Sequence, residues 1–317
     1  MSDQTAGQVA PFSIWREFDA PRDLVWEVNT RSEHLGRWMG PPGSTVIATR
    51  MDFRVGGRHH YGYRDPSGTE MWGVQQYRVI EPTTRLELLQ SFSDRDGNLA
   101  AHPMAPTWPR QMLSTMTFED LGGRRTRMTV TWQPWQPDAT ETATFDAARD
   151  GMRHGFGGMF ATLDGYLALT SREIVLRRFF AYPASLVWTA LTEVEHTSRW
   201  WGPDGFRNVE VTMDFVVGGS WRYVMEGLDG MRFPNHVLFT EIVPQSRLAF
   251  DHGDGERVWF ETLITLEAVD GGTQLTQIQR FPTAAERDTV VEQFHAIEGG
   301  KQHFASLEGY LREVLSV

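Results

Sequence analysis

Phe18-Asp19-Ala20-Pro21-Arg22-Asp23-Leu24-Val25-Trp26 is answered later in the chain by Phe180-Ala181-Tyr182-Pro183-Ala184-Ser185-Leu186-Val187-Trp188. Arg37-Trp38-Met39-Gly40-Pro41 is answered by Arg199-Trp200-Trp201-Gly202-Pro203, and Met51-Asp52-Phe53-Arg54-Val55-Gly56-Gly57 by Met213-Asp214-Phe215-Val216-Val217-Gly218-Gly219. Each pair is offset by 162 positions, as Trp26 is from Trp188, so one register joins all three. That period exceeds the roughly 20–50 residues of solenoids and propellers and marks a duplicated domain. The 317 residues divide into two domains, 1–170 and 171–317, each long enough for its own core. Thr170-Ser171-Arg172 leaves almost no linker, so the two are expected to pack against one another.

Both copies read in the same order. A short strand (12–18; 173–180) runs into a proline-led helix (21–30; 183–192), a residue suited to the first helical turn. A second short helix carries Glu33-His34 to Trp38, and in the other copy Glu195-His196 to Trp200, before Gly-Pro stops it. Alternating runs separated by Gly and Asp turns follow at 46–53, 58–63, 71–81, 85–93, 112–120 and 125–133. Their counterparts are 208–215, 220–226, 232–242, 247–251, 258–268 and 273–281. Short strands at this spacing make an antiparallel sheet. One long amphipathic helix is expected to close each copy, marked by Met152, Phe156, Met159, Phe160, Leu163 and Leu167, and then by Phe294, Ile297, Phe304, Leu307 and Leu311.

Composition narrows the function. A formal net charge of −11 speaks against nucleic acid, which is usually met by a basic face. No apolar run approaches the roughly 18–20 residues of a membrane span. The polar Met1–Ala10 stretch does not read as a signal peptide, so cytoplasmic residence is expected. The absence of cysteine excludes disulfides, thiolate metal sites and cysteine nucleophiles. No nucleophile, zinc or phosphate-loop motif occurs, so neither metal nor cofactor is expected. Twelve tryptophans raise the expectation of an aromatic-lined cavity.

The order strand, two small helices, curved antiparallel sheet and long final helix resembles the helix-grip fold of START/Bet v1-like proteins, an α+β architecture, here in tandem. The Pro-x-x-x-Val-Trp opening, the Arg-Trp-(Met/Trp)-Gly-Pro segment and the Met-Asp-Phe-x-Val-Gly-Gly turn resemble its branch related to the activator of Hsp90 ATPase. The resemblance covers both copies almost end to end. It implies a sheet curled around the long helix, with a cavity between them. One fold hosts many activities. Proteins of this fold include lipid carriers, aromatic polyketide cyclases and proteins encoded beside enediyne antibiotic genes, and the tandem layout resembles the two-domain START-like type of the dynemicin pathway. The resemblance therefore implies a large hydrophobic or polyaromatic partner, a polyketide-type intermediate or product, held for carriage, protection or folding. The alternative it leaves open is a cyclase, dehydratase or hydrolase. An Hsp90 co-chaperone-like role ranks third, since the distinct N-terminal domain of the eukaryotic activator has no counterpart.

Strand alternation sets His59, Tyr61 and Tyr63 on one face and His60 and Gly62 on the other. In the second copy the same positions hold Trp221, Tyr223 and Met225. These are expected to face a cavity, with Trp38, Met71, Met152, Phe156 and Met159 in the first copy and Trp200, Phe233, Phe294 and Ile297 in the second. Ordinary core packing is the alternative for each. His59, Tyr61 and Glu70 are the candidates for proton transfer in a cyclase-like site. His34 and His196 recur at equivalent positions, which suits packing or a helix end, and His295 and His303 could share a face of the last helix.

Gly155, Gly157 and Gly158, and then Gly299-Gly300, each cost roughly 1 kcal/mol against Ala within a helix. A kink, a close backbone approach or volume cleared for the cavity would offset that. The copies diverge at His59 against Trp221 and at Met71 against Phe233. The first also inserts Asp94–Pro109, with His102, Met104 and Trp108, as a lid, an inter-domain contact or a passive loop. Such differences predict two unequal cavities, or one site shared at the junction. An elongated apolar ligand burying about 400 Å² gains roughly 10 kcal/mol, against an estimated cost of about 4–15 kcal/mol for lost freedom. Polar anchors would then decide affinity.

Overall fold

The computed structural model describes residues 9–314; the stretch from which no signal peptide is expected lies, through residue 8, outside them. The chain divides into two compact units, Met1–Ser171 and Arg172–Val317. The first unit begins with β1 (Phe12–Phe18), α1 (Arg22–Thr30) and α2 (Ser32–Trp38). Six strands follow: β2 (Thr45–Met51), β3 (Arg58–Arg64), β4 (Glu70–Glu81), β5 (Arg85–Phe92), β6 (Met112–Gly122) and β7 (Arg125–Pro134). They pair as an antiparallel meander, and β1 closes the sheet beside β7, giving the order β1-β7-β6-β5-β4-β3-β2. Helices α3 (Ala139–Ala147) and α4 (Arg149–Thr170) end the unit.

The second unit repeats this with β8 (Glu173–Phe180), α5 (Ala184–Thr192), α6 (Val194–Trp200), β9 (Phe206–Met213), β10 (Ser220–Gly227) and β11 (Arg232–Val243). β12 (Arg247–Gly253), β13 (Val258–Val269), β14 (Gly272–Arg280), α7 (Ala284–Phe294) and α8 (Ala296–Val314) complete it. Its sheet has the same order, β8-β14-β13-β12-β11-β10-β9. Each unit is thus α+β, one seven-stranded antiparallel sheet with its helices.

The repeated motifs meet in space, which explains why they travel together. Trp26 on α1 packs edge-on against Phe53, which packs edge-on against Tyr77 of β4 at 5.0 Å. Trp188, Phe215 and Phe239 repeat the chain of rings, with Phe215 and Phe239 again 5.0 Å apart. The Gly-Gly turn then ties the β2–β3 connection to β4: Gly56 N donates to Tyr77 O at 2.8 Å and Tyr77 N to Gly57 O at 3.0 Å. Gly56 has φ +81°, and a Cβ at Gly57 would strike the Asp52 carbonyl, so neither position admits a side chain without strain. Gly218 and Gly219 repeat both features.

The long closing helix expected from periodicity forms in each unit, as α4 and α8, with Phe294 alone of its markers falling on the shorter helix before it. Each unit ends in two helices. Asp138 caps α3 through a reciprocal box with Glu141, and Ala148 breaks the run at φ −88°, ψ 0°. In the second unit His295 adopts the left-handed conformation (φ 51°) between α7 and α8. His295 therefore shares no helix face with His303. The glycines do not interrupt their helices: α4 runs unbroken through Gly155, Gly157 and Gly158.

α4 lays Met152, Phe156, Phe160, Leu163 and Leu167 onto a core that includes Phe12 and Phe18 of β1 and Met128 and Val130 of β7. α8 does the same with Phe304, Leu307, Tyr310 and Leu311. One hydrogen bond fixes each long helix to the small helix beside it: His34 Nδ1 to the Tyr166 hydroxyl at 2.8 Å, and His196 Nδ1 to the Tyr310 hydroxyl at 2.6 Å.

Candidate functional site

Between sheet and α4 the first unit holds a partly open cavity of about 450 Å³. Its wall is mostly apolar and aromatic, drawn from α2, the segment after it, strands β3 to β7 and the helix. Trp38, Tyr61, Tyr63, Met71, Met152, Phe156 and Met159 all line it. Trp38 does so while tied into the scaffold, since its Nε1 donates to Val28 O at 2.8 Å. Tyr63 stands near the Gly40 turn with its hydroxyl 3.3 Å from Met71 Sδ. A side chamber of about 170 Å³ adjoins the cavity and shares Tyr61, Gln90, Phe92, His102 and Trp132 with it.

His59 and Glu70 stand outside this wall. His59 is fully buried behind it, its Nε2 3.0 Å from Thr49 Oγ1 and its Nδ1 3.2 Å from Gln75 Oε1. Burial holds its pKa down to about 4, so the imidazole is neutral. The Glu70 carboxylate is occupied by Arg64 and Arg95, each at 2.8 Å, and accepts from Trp72 Nε1 at 3.2 Å. The Arg64 hydrogen bond leads in pulling its pKa below the usual carboxylate value. Of the three proton-transfer candidates only Tyr61 reaches the cavity. Its ring lies over Gly73, where a Cβ would come within 2.6 Å of the hydroxyl. Burial raises the Tyr61 pKa well above its ordinary value, so this group is a donor and not a base.

Sequence reasoning missed much of the polar wall. Gln75 and Gln90 line the cavity and are joined by a 3.3 Å bond from Gln75 Nε2 to Gln90 Oε1. Ser114 lines it too, accepting from Trp132 Nε1 at 3.0 Å. The missed signal was strand period: from Met71, alternate residues of β4 lead through Gly73 to Gln75 and Tyr77. The inserted loop contributes directly. His102 lines both chambers, packed 4.4 Å from the Phe92 ring, and Trp108 lines the smaller one, whereas Met104 is 77% exposed. Met104 N donates to His102 Nδ1 at 3.1 Å, and burial leads in lowering the His102 pKa.

The glycines on the helices divide between two of the expected roles. Gly155 lines the cavity, and a Cβ there would meet nothing within 4 Å. Gly300 is a close approach, since a Cβ there would overlap Leu176 Cδ1.

In the second unit, rings occupy the corresponding positions. Gln75 pairs with Gln90 across β4 and β5, and Val237 pairs with His252 across β11 and β12, so His252 stands where Gln90 does. Met159 and His303 each precede the anchoring tyrosine by seven residues. Met39 is replaced by Trp201 and His59 by Trp221. These larger groups pack on one another: Trp201 lies 4.9 Å from Trp221 and 4.4 Å from His303, and Trp221 lies 4.4 Å from Tyr223. Trp201 Nε1 donates to the Tyr223 hydroxyl at 3.0 Å, which sits 3.4 Å from His252 Nε2. His252 in turn meets Asn235 Oδ1 at 2.9 Å, and Gly202 N donates to His303 Nδ1 at 3.1 Å.

Trp200, Trp221 and Tyr223 are therefore core residues here, and Met225 and Ile297 pack against that core. Trp200 is held as Trp38 is, by a 2.8 Å bond to Ala190 O. Phe294 and Phe233 depart from the expected placement. Phe294 is 71% exposed because α7 ends there, before the turn at His295 reorients the chain. Phe233 is half-exposed at the start of β11, edge-on to Phe206.

A family model described as activator of Hsp90 ATPase homolog 1-like protein matches residues 19–168 and again residues 181–312. Among solved structures, a protein from Arthrobacter aurescens is 30% identical over 50% of this chain and 86% of its own, with a TM-score of 0.41. A protein from Nitrosomonas europaea is 26% identical over 46% of this chain and 98% of its own, with a TM-score of 0.44. The di-domain ARO/CYC BexL from the BE-7585A biosynthetic pathway is 13% identical over 95% of this chain and 98% of its own, with a TM-score of 0.40. No curated protein matches the chain.

Proposed function

From a chain that belongs to the activator of Hsp90 ATPase homolog 1-like family in two consecutive copies, we propose a small-molecule binding protein whose first unit takes up a large hydrophobic or polyaromatic ligand. The observation that carries this reading is the cavity of about 450 Å³ walled by aromatic and methionine side chains. That volume lies within the range of about 300–1,000 Å³ typical of small-molecule sites, and a few polar groups set in an apolar wall are their usual composition. Methionines such as Met71, Met152 and Met159 let the wall adapt to a rigid ring system.

Each unit is read as a helix-grip fold of the START/Bet v1-like kind, with α4 and α8 as the gripped helices. A fused-ring, polyketide-type intermediate or product is the ligand class this reading favours, held for carriage or protection, and cytoplasmic residence belongs to the same reading. No helix of the described residues is long and apolar enough to cross a membrane. In the second unit Trp201, Trp221 and His303 pack on one another at the equivalent positions, so this reading places the ligand in the first.

Binding without turnover is favoured over a cyclase or dehydratase by the state of the wall. A general base must reach the proton it removes. His59 is behind the wall, Glu70 is held by arginines, and Tyr61 stays protonated. The test is a titration of tryptophan fluorescence with a broad panel of polycyclic aromatics and polyenes. Saturable quenching by fused-ring compounds is expected; an unchanged signal across the panel would refute the reading.

A further inference from the structure

Four polar side chains stand in single file across β2, β3, β4 and β5, ending on the cavity wall. Thr49 Oγ1 is 3.0 Å from His59 Nε2, His59 Nδ1 is 3.2 Å from Gln75 Oε1, and Gln75 Nε2 donates to Gln90 Oε1 at 3.3 Å. The file has a direction. Gln75 presents its amide oxygen, which only accepts, to His59 Nδ1, so Nδ1 carries the ring proton and Nε2 accepts from the Thr49 hydroxyl. The Gln75 amide N–H is thus left facing Gln90. The file therefore ends on the Gln90 –NH₂, a donor with its own oxygen already engaged.

Two further donors stand on the same wall. The Tyr61 hydroxyl is hydrogen-bonded by no described residue. His102 accepts at Nδ1 from Met104 N, so in the neutral ring its proton is on Nε2. Tyr61, Gln90 and His102 each line both the cavity and its side chamber. No arginine or lysine lines either one.

We propose that this wall is a carbonyl-recognition site. Tyr61, Gln90 and His102 donate to the carbonyl oxygen of a neutral, otherwise apolar ligand, and Thr49, His59 and Gln75 are positioning residues that keep the Gln90 amide turned N–H outward. A carboxylate would enter without a cationic partner, at a large desolvation cost. A pure hydrocarbon would leave the donors buried and unpaired, which is the expensive state of a hydrogen-bonding group. The inference rests on the cavity being a binding site, as proposed above.

Three probes of one shape separate the cases: 2-acetylanthracene, 2-ethylanthracene and anthracene-2-carboxylate, titrated against the intact chain by fluorescence. The ketone should bind about tenfold tighter than the ethyl compound, the worth of one or two net hydrogen bonds. Its carbonyl stretch in the infrared should fall on binding. Gln90→Leu should abolish most of that preference and of the infrared shift. Thr49→Val should reduce both, and Thr49→Ser should restore them, a pattern that a merely structural role for Thr49 would not give. Equal or tighter binding of 2-ethylanthracene, tighter binding of the carboxylate, or a ketone preference that survives Gln90→Leu would each overturn the proposal while the cavity reading stands. Binding of none of the three overturns both.

Discussion

Tyr61 and Gly73 act as one unit at the centre of the first domain. The tyrosine on β3 lies across the glycine on β4, where a Cβ would come within 2.6 Å of its hydroxyl. Gly73→Ala should push the ring from its place, destabilising the fold by about 1–3 kcal/mol as overpacked cores do and weakening ligand binding together with it. Chemical denaturation and a parallel titration check both. The buried histidines of the second unit make a second residue-scale prediction. Burial leads in holding the pKa of His252 at about 4 and that of His303 at about 3, against 6.5 in an open chain. His303 is enclosed by Trp200, Trp201 and the Gly202 amide, and the nearby His252 imidazole adds to the lowering of its pKa. Below pH 6.5 the unfolded chain takes up protons that the folded chain refuses, so stability is full above that pH and falls until the folded values are passed. His303→Met, the residue at the equivalent position of the first unit, should spare about 2 kcal/mol of the loss that wild type suffers between pH 7 and pH 5. Equal acid losses in urea melts of the two proteins would show that His303 is not the source.

At the scale of elements, Gly155 of α4 and Gly300 of α8 stand in different surroundings, and substitution should separate them. Gly155→Ala adds a methyl group that meets nothing, so the helix should gain about 1 kcal/mol. Gly300→Ala drives a methyl group into Leu176 of β8, and overpacking should exceed the helical gain, for a net loss of about 1 kcal/mol. Opposite signs in thermal melts are the expected outcome. These glycines also mark how far the sequence could be read. Strand and helix positions were legible because alternation, proline starts and Gly-Gly turns are local signals, present twice. The break before each long helix was not, because it depends on a cap at Asp138 and a left-handed residue at His295 that interrupt no hydrophobic pattern. Tyr61, Tyr63 and Met159 could be placed by periodicity, whereas Gln75 and Gln90 could not be recognised as a pair, since only strand register brings them together. His102 lay in an insertion whose return to the Phe92 ring no pattern records.

At the scale of the molecule, the duplication preserved a scaffold and changed its filling. The Trp–Phe ring contact, the Gly-Gly turn and the His–Tyr tie recur in both units. What differs is the set of side chains at the corresponding positions: Met39, His59, Gln90 and Met159 in the first unit, Trp201, Trp221, His252 and His303 in the second. Under the proposed function the first unit is the one that takes up a ligand.

The measurement that tests this most directly is a calorimetric titration of the intact chain with 2-acetylanthracene, repeated on Gly155→Trp, which places an indole in the first cavity. Binding of one molecule per chain, abolished by Gly155→Trp without loss of thermal stability, is the predicted result. Two molecules per chain, or binding that Gly155→Trp leaves unchanged, would contradict it.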